Sequence, residues 1–463
     1  MISRRSLTAL GAAPFLHAGR SSGRPNILWI ITEDMGPELG CYGYPGMRTP
    51  NLDRLAGQGV RFDRAFVTAP VCSATRSAFQ TGMYQTSIGA HHHRSHRDDN
   101  YRLPEGVRLV THRLRDAGYF TIGVRKGFPV TGAKTDFNFE AGQPFEGDDW
   151  SKRPKDRPFF AQIHLRESHK GPAWSEARKQ SRLVDPAKVE LPPYYPDHPA
   201  VRDEFANYLD AVNLADVKVG RILEALDREN LAANTAVFFM GDHGRCLLRG
   251  KQWLYTAGVR VPLILRWPGV AQAGKVVDGL VLSLDMTATT LYAAGVALPK
   301  PFHGRPLIGP GAQPREYAVA ARDRCDMTLD RVRSVRTARY NYIRNFMPER
   351  PYTQFNNYIE TSYPTQGVMK KLFAEGKLNR EQSLFMQPRK PAEELYDLSS
   401  DPHEVRNLAG SPQHASILRQ ARARLEAWMR ETGDRGGEPE PYPPEEMDRR
   451  VRAAQAAEKE KRK

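Results

Sequence analysis

Four cysteines, two acidic clusters and a run of histidines are the residues whose types and spacing could do chemistry in this chain. The cysteines are Cys41, Cys72, Cys246 and Cys325. No two form a Cys-x-x-Cys pair, which argues against a zinc site. At this density a disulfide framework is not expected either, and one reactive cysteine among three bystanders fits better. A free cysteine taken alone is most often a buried, inert thiol. The acidic clusters are Glu33-Asp34 and Asp242-His243, and each directly follows an apolar run. His91, His92 and His93 suggest metal binding, but adjacent side chains do not easily converge on one ion. One of them, His92 or His93, is expected to line a substrate pocket. Lys plus Arg total 68 against 53 Asp plus Glu, a net charge of +15. That balance suits an anionic substrate or a nucleic acid. No zinc finger, recognition helix or RNA-binding signature accompanies it, so no nucleic-acid partner is expected.

These residues need elements to position them. Residues 26–32 (NILWIIT) form a continuous apolar, β-branched run, as in a strand buried on both faces. Further strands are expected at 60–67, 119–124, 158–165, 235–240 and 261–266. Thr49-Pro50 opens a helical pattern. Helices are also expected at 106–117 and 201–229. Alternation of this kind predicts a mostly parallel α/β sheet sandwiched by helices. Ligands gather beyond the carboxyl ends of the strands in such sheets, and both acidic clusters sit there. After about residue 310 the texture changes. Short antiparallel strands at 317–321 and 333–346, a turn at 399–402 and a helix at 412–432 predict a smaller C-terminal α+β domain. Residues 433–444, rich in Gly, Pro and Glu, are expected to be loose.

The stretch Cys72-Ser-Ala-Thr-Arg76-Ser-Ala-Phe-Gln-Thr81-Gly82 resembles the signature of the type I sulfatases. That signature reads Cys or Ser, any residue, Pro or Ala, Ser or Thr, Arg, then Thr-Gly after three or four more. The resemblance spans roughly 26–407 and includes Thr49-Pro-Asn-Leu-Asp53, Gly250-Lys-Gln-Trp-Leu-Tyr255 and Leu395-Tyr-Asp-Leu-Ser-Ser-Asp-Pro402. Within the family it looks closest to the heparan N-sulfatase subgroup.

The resemblance implies an alkaline-phosphatase-like fold and hydrolysis of a sulfate ester or sulfamate, on a sulfated small molecule or glycan. It implies that Cys72 is oxidised to formylglycine by a formylglycine-generating or sulfatase-maturating enzyme. The hydrated aldehyde carries two hydroxyls on one carbon, one to attack sulfur and one to release sulfate. It also implies one divalent ion, calcium, which takes oxygen ligands. Glu33, Asp34, Asp242 and His243, with position 72, match the metal positions. The first is usually Asp, so Glu33 departs from the pattern. His243 offers nitrogen, a poor calcium ligand, and suits a bond to the nucleophile or the sulfate instead. Arg76 matches the arginine that bonds the formylglycine, Lys251 a sulfate-binding lysine, and His169 the histidine that protonates the leaving oxygen. Lys134, in Lys134-Thr-Asp136, is the preferred match to a further lysine, with Lys126 as its alternative; Asp136 replaces a more common histidine.

The N-terminus carries Arg4-Arg5 before a short, weakly apolar stretch, which resembles a twin-arginine export signal over 1–23. A bacterial, periplasmic or secreted enzyme follows from that reading. The stretch falls short of the ~20 residues a membrane anchor needs. The domains are then a catalytic unit at 24–312, a smaller one at 313–440 and a charged tail at 441–463. Two rival readings remain at this point: a phosphate or phosphonate monoester hydrolase on the same fold, and a catalytically silent protein that binds sulfated glycans.

Overall fold

The computed structural model describes residues 23–124, 133–181 and 183–461. The twin-arginine stretch and Lys126 lie outside the described residues.

A central sheet of eight strands organises the first two thirds of the chain. They are β1 (Asn26–Thr32), β2 (Val60–Phe66), β3 (Phe120–Gly123), β4 (Phe159–Leu165), β5 (Thr235–Gly241), β6 (Arg260–Val261), β7 (Leu263–Arg266) and β8 (Lys275–Leu282). The order is β3-β4-β1-β5-β7-β2-β6, with β8 also beside β2. β3, β4, β1 and β5 are mutually parallel, and β2 pairs with β8 in parallel. Every residue of β1, β4 and β5 is buried, as their unbroken apolar sequences require. Trp29 is fully buried, and its indole N–H donates to Thr290 Oγ1 at 2.9 Å.

Helices cover the sheet as α1 (Pro50–Gly57), α2 (Cys72–Thr81), α3 (Val110–Asp116), α4 (Pro172–Gln180), α5 (Pro199–Arg228), the short α6 (Thr256–Val259) and α7 (Ser283–Ala293). α5 packs against α1 and α4, while α2, α3 and α7 pack against one another. A second, antiparallel sheet follows: β9 (Ala318–Arg322), β10 (Val332–Arg336), β11 (Tyr340–Asn345) and β12 (Glu393–Asp397), in the order β12-β11-β10-β9. Helices α8 (Asn357–Ser362), α9 (Pro364–Ala374), α10 (Arg380–Ser383), α11 (Ala415–Thr432) and α12 (Pro444–Lys461) complete the chain. Among the described residues no helix is long and apolar enough to cross a membrane.

Several expectations change. The helix placed at 106–117 starts only at Val110, because the Val107 N–H closes a turn on the Pro104 carbonyl and Gly106 has a φ of 77°. The strand placed at 261–266 is interrupted at Pro262, which has no N–H to donate, and both pieces run antiparallel to their neighbours. The segment at 433–444 is not loose. Asp434 accepts from Arg333 at 2.8 and 2.9 Å, Glu440 accepts from Arg324 at 2.9 Å, and the Arg435 N–H donates to the Thr86 carbonyl. The charged tail beyond it forms α12.

Candidate active site

Strand direction brings the chemistry to one edge. β2 runs antiparallel to β7, which runs antiparallel to β5, so β2 shares its direction with β1, β4 and β5. The residues just past all four carboxyl ends therefore meet: Glu33-Asp34 after β1, Cys72 after β2, His169 after β4 and Asp242-His243 after β5. The ladder continues into these turns, for the Glu33 N–H donates to the Leu165 carbonyl and the Asp242 N–H to the Thr32 carbonyl. Asp34 adopts a left-handed backbone (φ 53°), and its N–H donates to Asp242 Oδ1 at 2.9 Å. That bond ties the Asp242 carboxylate to the backbone of Asp34.

Cys72 is the first residue of α2 and is 1% exposed. Its Sγ lies 3.2 Å from His243 Nε2. His243 Nε2 is also 3.1 Å from Asp34 Oδ1, and its Nδ1 is 2.9 Å from the Gly244 carbonyl. Burial raises the Cys72 thiol, but Lys251, Lys134 and His243 outweigh it and bring it down to about 7. Asp34, Cys72 and His243 offer three ligand atoms within 4.8 Å of one another, and Asp242 Oδ1 is 3.6 Å from His243 Nε2.

Each carboxylate is matched by a cation. Lys251 Nζ bonds Asp34 Oδ1 at 2.9 Å, and Lys134 Nζ bonds Glu33 Oε2 at 2.6 Å. Arg76, fully buried, donates to Asp242 Oδ2 at 2.7 Å and to both oxygens of Asp136 at 2.6 and 3.1 Å. Burial alone would raise Glu33, but Lys134 and His169 bring it down to about 2. Burial likewise opposes charge on Asp34, and Lys251, His169 and His243 hold it well below its ordinary value. His169 Nε2 is 3.6 Å from Glu33 Oε2 and is partly exposed. Burial keeps its imidazole below the usual range, against the pull of Asp34 and Glu33.

The donor set fits a hard divalent cation. The carboxylates of Asp34 and Asp242 both lie beside His243 Nε2, at 3.1 and 3.6 Å, and Glu33 Oε1 is buried without a hydrogen-bond partner. Glu33 stands apart from the group of Asp34, Cys72 and His243, because its other oxygen is drawn to Lys134.

Glu33, Asp34, Cys72, Arg76, Lys134, His169, Asp242, His243 and Lys251 thus gather here, while the histidine run lies elsewhere. The rings of His91 and His92 lie 4.2 Å apart, tilted by 46°, and line a cleft against 435–442 instead. His93 bonds Asp326 at 2.9 Å. Two further residues join the site. Asp136, marked in the sequence as the replacement for a more common histidine, anchors Arg76. His164 Nδ1 accepts from the Lys134 backbone N–H at 3.0 Å, and no local signal marks it.

Comparison with known proteins adds the following. The family model described as Sulfatase matches residues 25–141 and 145–296, and the model described as N-sulphoglucosamine sulphohydrolase, C-terminal, matches 241–358. An ulvan-active sulfatase of Formosa agariphila is 33% identical over 90% of this chain and 76% of its own length. Human N-sulphoglucosamine sulphohydrolase is 27% identical over 91% of this chain and 93% of its own. A solved structure of a 2-O GAG sulfatase superimposes with a TM-score of 0.65 at 20% identity, over 90% of this chain and 94% of that one. That likeness bears on the fold, which is the alkaline-phosphatase-like one.

Proposed function

This chain belongs to the sulfatase family, and from that premise we propose that it removes sulfate, as an ester or a sulfamate, from a sulfated saccharide, with position 72 as formylglycine beside one calcium ion. The observation that carries the reading is the meeting of Cys72 with Asp34, Asp242 and His243, ringed by Lys134, Lys251 and Arg76. Bound there, the hydrated aldehyde would supply paired hydroxyls for attack and release, and calcium, held by Asp34, Asp242 and Glu33, would draw charge from the oxygens around it.

The chain's own side chains do the rest. Lys134 and Lys251 are paired to Glu33 and Asp34 and keep further donors for sulfate oxygens. His243 Nε2, at 3.2 Å from Sγ, orients the group at position 72 and shares its proton. Arg76 fixes Asp242 through a guanidinium whose other face is held by Asp136. His169 is the donor to the leaving oxygen. Burial keeps its imidazole below the usual range, and the charge of an incoming sulfate favours its protonated form. The named activities of the two relatives support a glycan as the substrate class. Residues 24–312 are read as the catalytic unit and 313–440 as the smaller one.

Two measurements test this. After co-expression with a formylglycine-generating enzyme, the peptide containing Cys72 should be lighter by about 18 Da, since an aldehyde oxygen replaces the thiol and a hydrogen. The same preparation should turn over nitrophenyl sulfate faster than nitrophenyl phosphate, lose that activity in EGTA and regain it with calcium. An unchanged peptide mass with full activity, or a preference for phosphate, would overturn the proposal.

A further inference from the structure

The cations around Cys72 share one property, and one residue lacks it. Lys134, Lys251 and Arg76 each bond a carboxylate. Arg94 does not: among the described residues its side chain makes no hydrogen bond or ion pair, and its Nε is buried without a partner. A guanidinium has five donors in a planar fork; Arg94 is partly exposed, and its buried Nε is unfavourable to leave unmet unless a ligand completes it.

The position of Arg94 is built. Its backbone is left-handed (φ 56°), a conformation that residues with a Cβ avoid, and its N–H donates to Ser73 Oγ at 2.7 Å. Ser73 directly follows Cys72 in α2. His93 is pinned on the other side, its N–H donating to the Arg324 carbonyl and its Nδ1 lying 2.9 Å from Asp326. Burial opposes charge on Arg94, and Asp326, Asp136 and the group at position 72 favour it. Asp326 is already engaged by His93, by Asn356 Nδ2 at 3.2 Å and by Gln252 Nε2 at 3.4 Å. Arg94 thus stands beside the residue that follows Cys72, next in sequence to the His93 that bonds Asp326.

We infer that Arg94 is a specificity-determining residue whose guanidinium grips a second anionic group of the substrate, a sulfate or carboxylate other than the sulfate being removed. The inference rests on the sulfatase reading above and adds the substrate's charge pattern to it. A planar fork suits a trigonal carboxylate or two oxygens of a sulfate, and lysine supplies the charge without the fork.

The test compares wild type, Arg94→Gln and Arg94→Lys by titration calorimetry and by sulfate release. Three ligands are used: a monosulfated monosaccharide, its disulfated counterpart, and a monosulfated disaccharide bearing a uronic acid. Wild type should prefer one of the doubly anionic ligands by about tenfold or more, and which one tells sulfate from carboxylate. Arg94→Gln should erase that preference and Arg94→Lys recover part of it, with the kinetic change in KM rather than kcat. An intact preference in Arg94→Gln, equal weakening for all three ligands, or a fall in kcat alone overturns the inference. Loss of the binding preference in a protein whose wild type releases no sulfate would instead overturn the sulfatase reading and leave Arg94 as the anion-binding residue.

Discussion

Around Cys72 the side chains are arranged as alternating charges, and the alternation sets what each substitution does. Glu33 and Asp34 are buried anions kept ionised by Lys134 and Lys251. Removing one partner of such a pair leaves the other charge buried and unmatched, which costs about 3–5 kcal/mol in typical cases. Lys134→Ala should therefore lower kcat/KM by about a hundredfold or more, since it loses both a sulfate contact and the match for Glu33. Lys126→Ala, measured in parallel with nitrophenyl sulfate, should change it only a few fold. Equal, small losses at both would remove Lys134 from the site. Cys72 and Arg76 were legible because the signature is contiguous in sequence. The Arg76–Asp136 and Lys134–His164 contacts were not, because they join residues sixty and thirty positions apart through loop geometry that no local pattern encodes.

At the scale of elements, the edge that holds the site is packed backbone against backbone. A Cβ at Gly241, the last residue of β5, would stand 2.3 Å from the Met35 carbonyl, one residue past Asp34. A Cβ at Gly250, next to Lys251, would stand 2.2 Å from the Arg245 carbonyl, and Arg249 and Gln252 on either side of that pair have φ values of 67° and 80°. Gly241→Ala should then push β1 and β5 apart where Asp34 meets Asp242. The expected result is about 1–3 kcal/mol of lost stability in urea melts, with a fall in kcat/KM larger than a comparable core change produces. An unchanged kcat/KM would mean that the two strand ends tolerate separation. The parallel strands were legible because a strand buried on both faces is a continuous apolar run. α2 was not legible as a helix, because all ten of its residues are buried and no polar stripe is left to reveal a period. α12 was missed for the opposite reason: ten of its 18 residues are charged, so its helix-forming residues read as a tail.

At the scale of the whole molecule, buried neutral histidines tie stability to pH. Burial, helped by Arg333, lowers His91 to about 3; burial lowers His93 to about 3 against the pull of Asp326; burial and Arg315 lower His303 to about 4. In each case the folded value lies below the unfolded one of about 6.5. Their contribution is thus fully present above about pH 6.5 and is lost as pH falls toward the folded values. The His303 imidazole accepts the Tyr84 N–H at 3.1 Å through Nδ1. Its shift, from 6.5 to about 4, corresponds to about 3 kcal/mol. Unfolding midpoints in urea should fall steadily from pH 7 to pH 4.5, and His303→Gln should flatten the slope. A midpoint independent of pH over that window would show that these rings are not held neutral.

The near-complete burial of Cys72 also constrains how the protein is made. A thiol only 1% exposed, at the start of a helix with every residue inside, offers a visiting oxidising enzyme neither the sulfur nor the flanking chain. On the proposed reading, conversion to the aldehyde belongs to biosynthesis, while residues 72–82 are still extended and α2 has not docked on α7. On that reading the order of events is fixed: oxidation first, then collapse of the chain around α2. A molecule that folds first is committed to remaining an unconverted thiol.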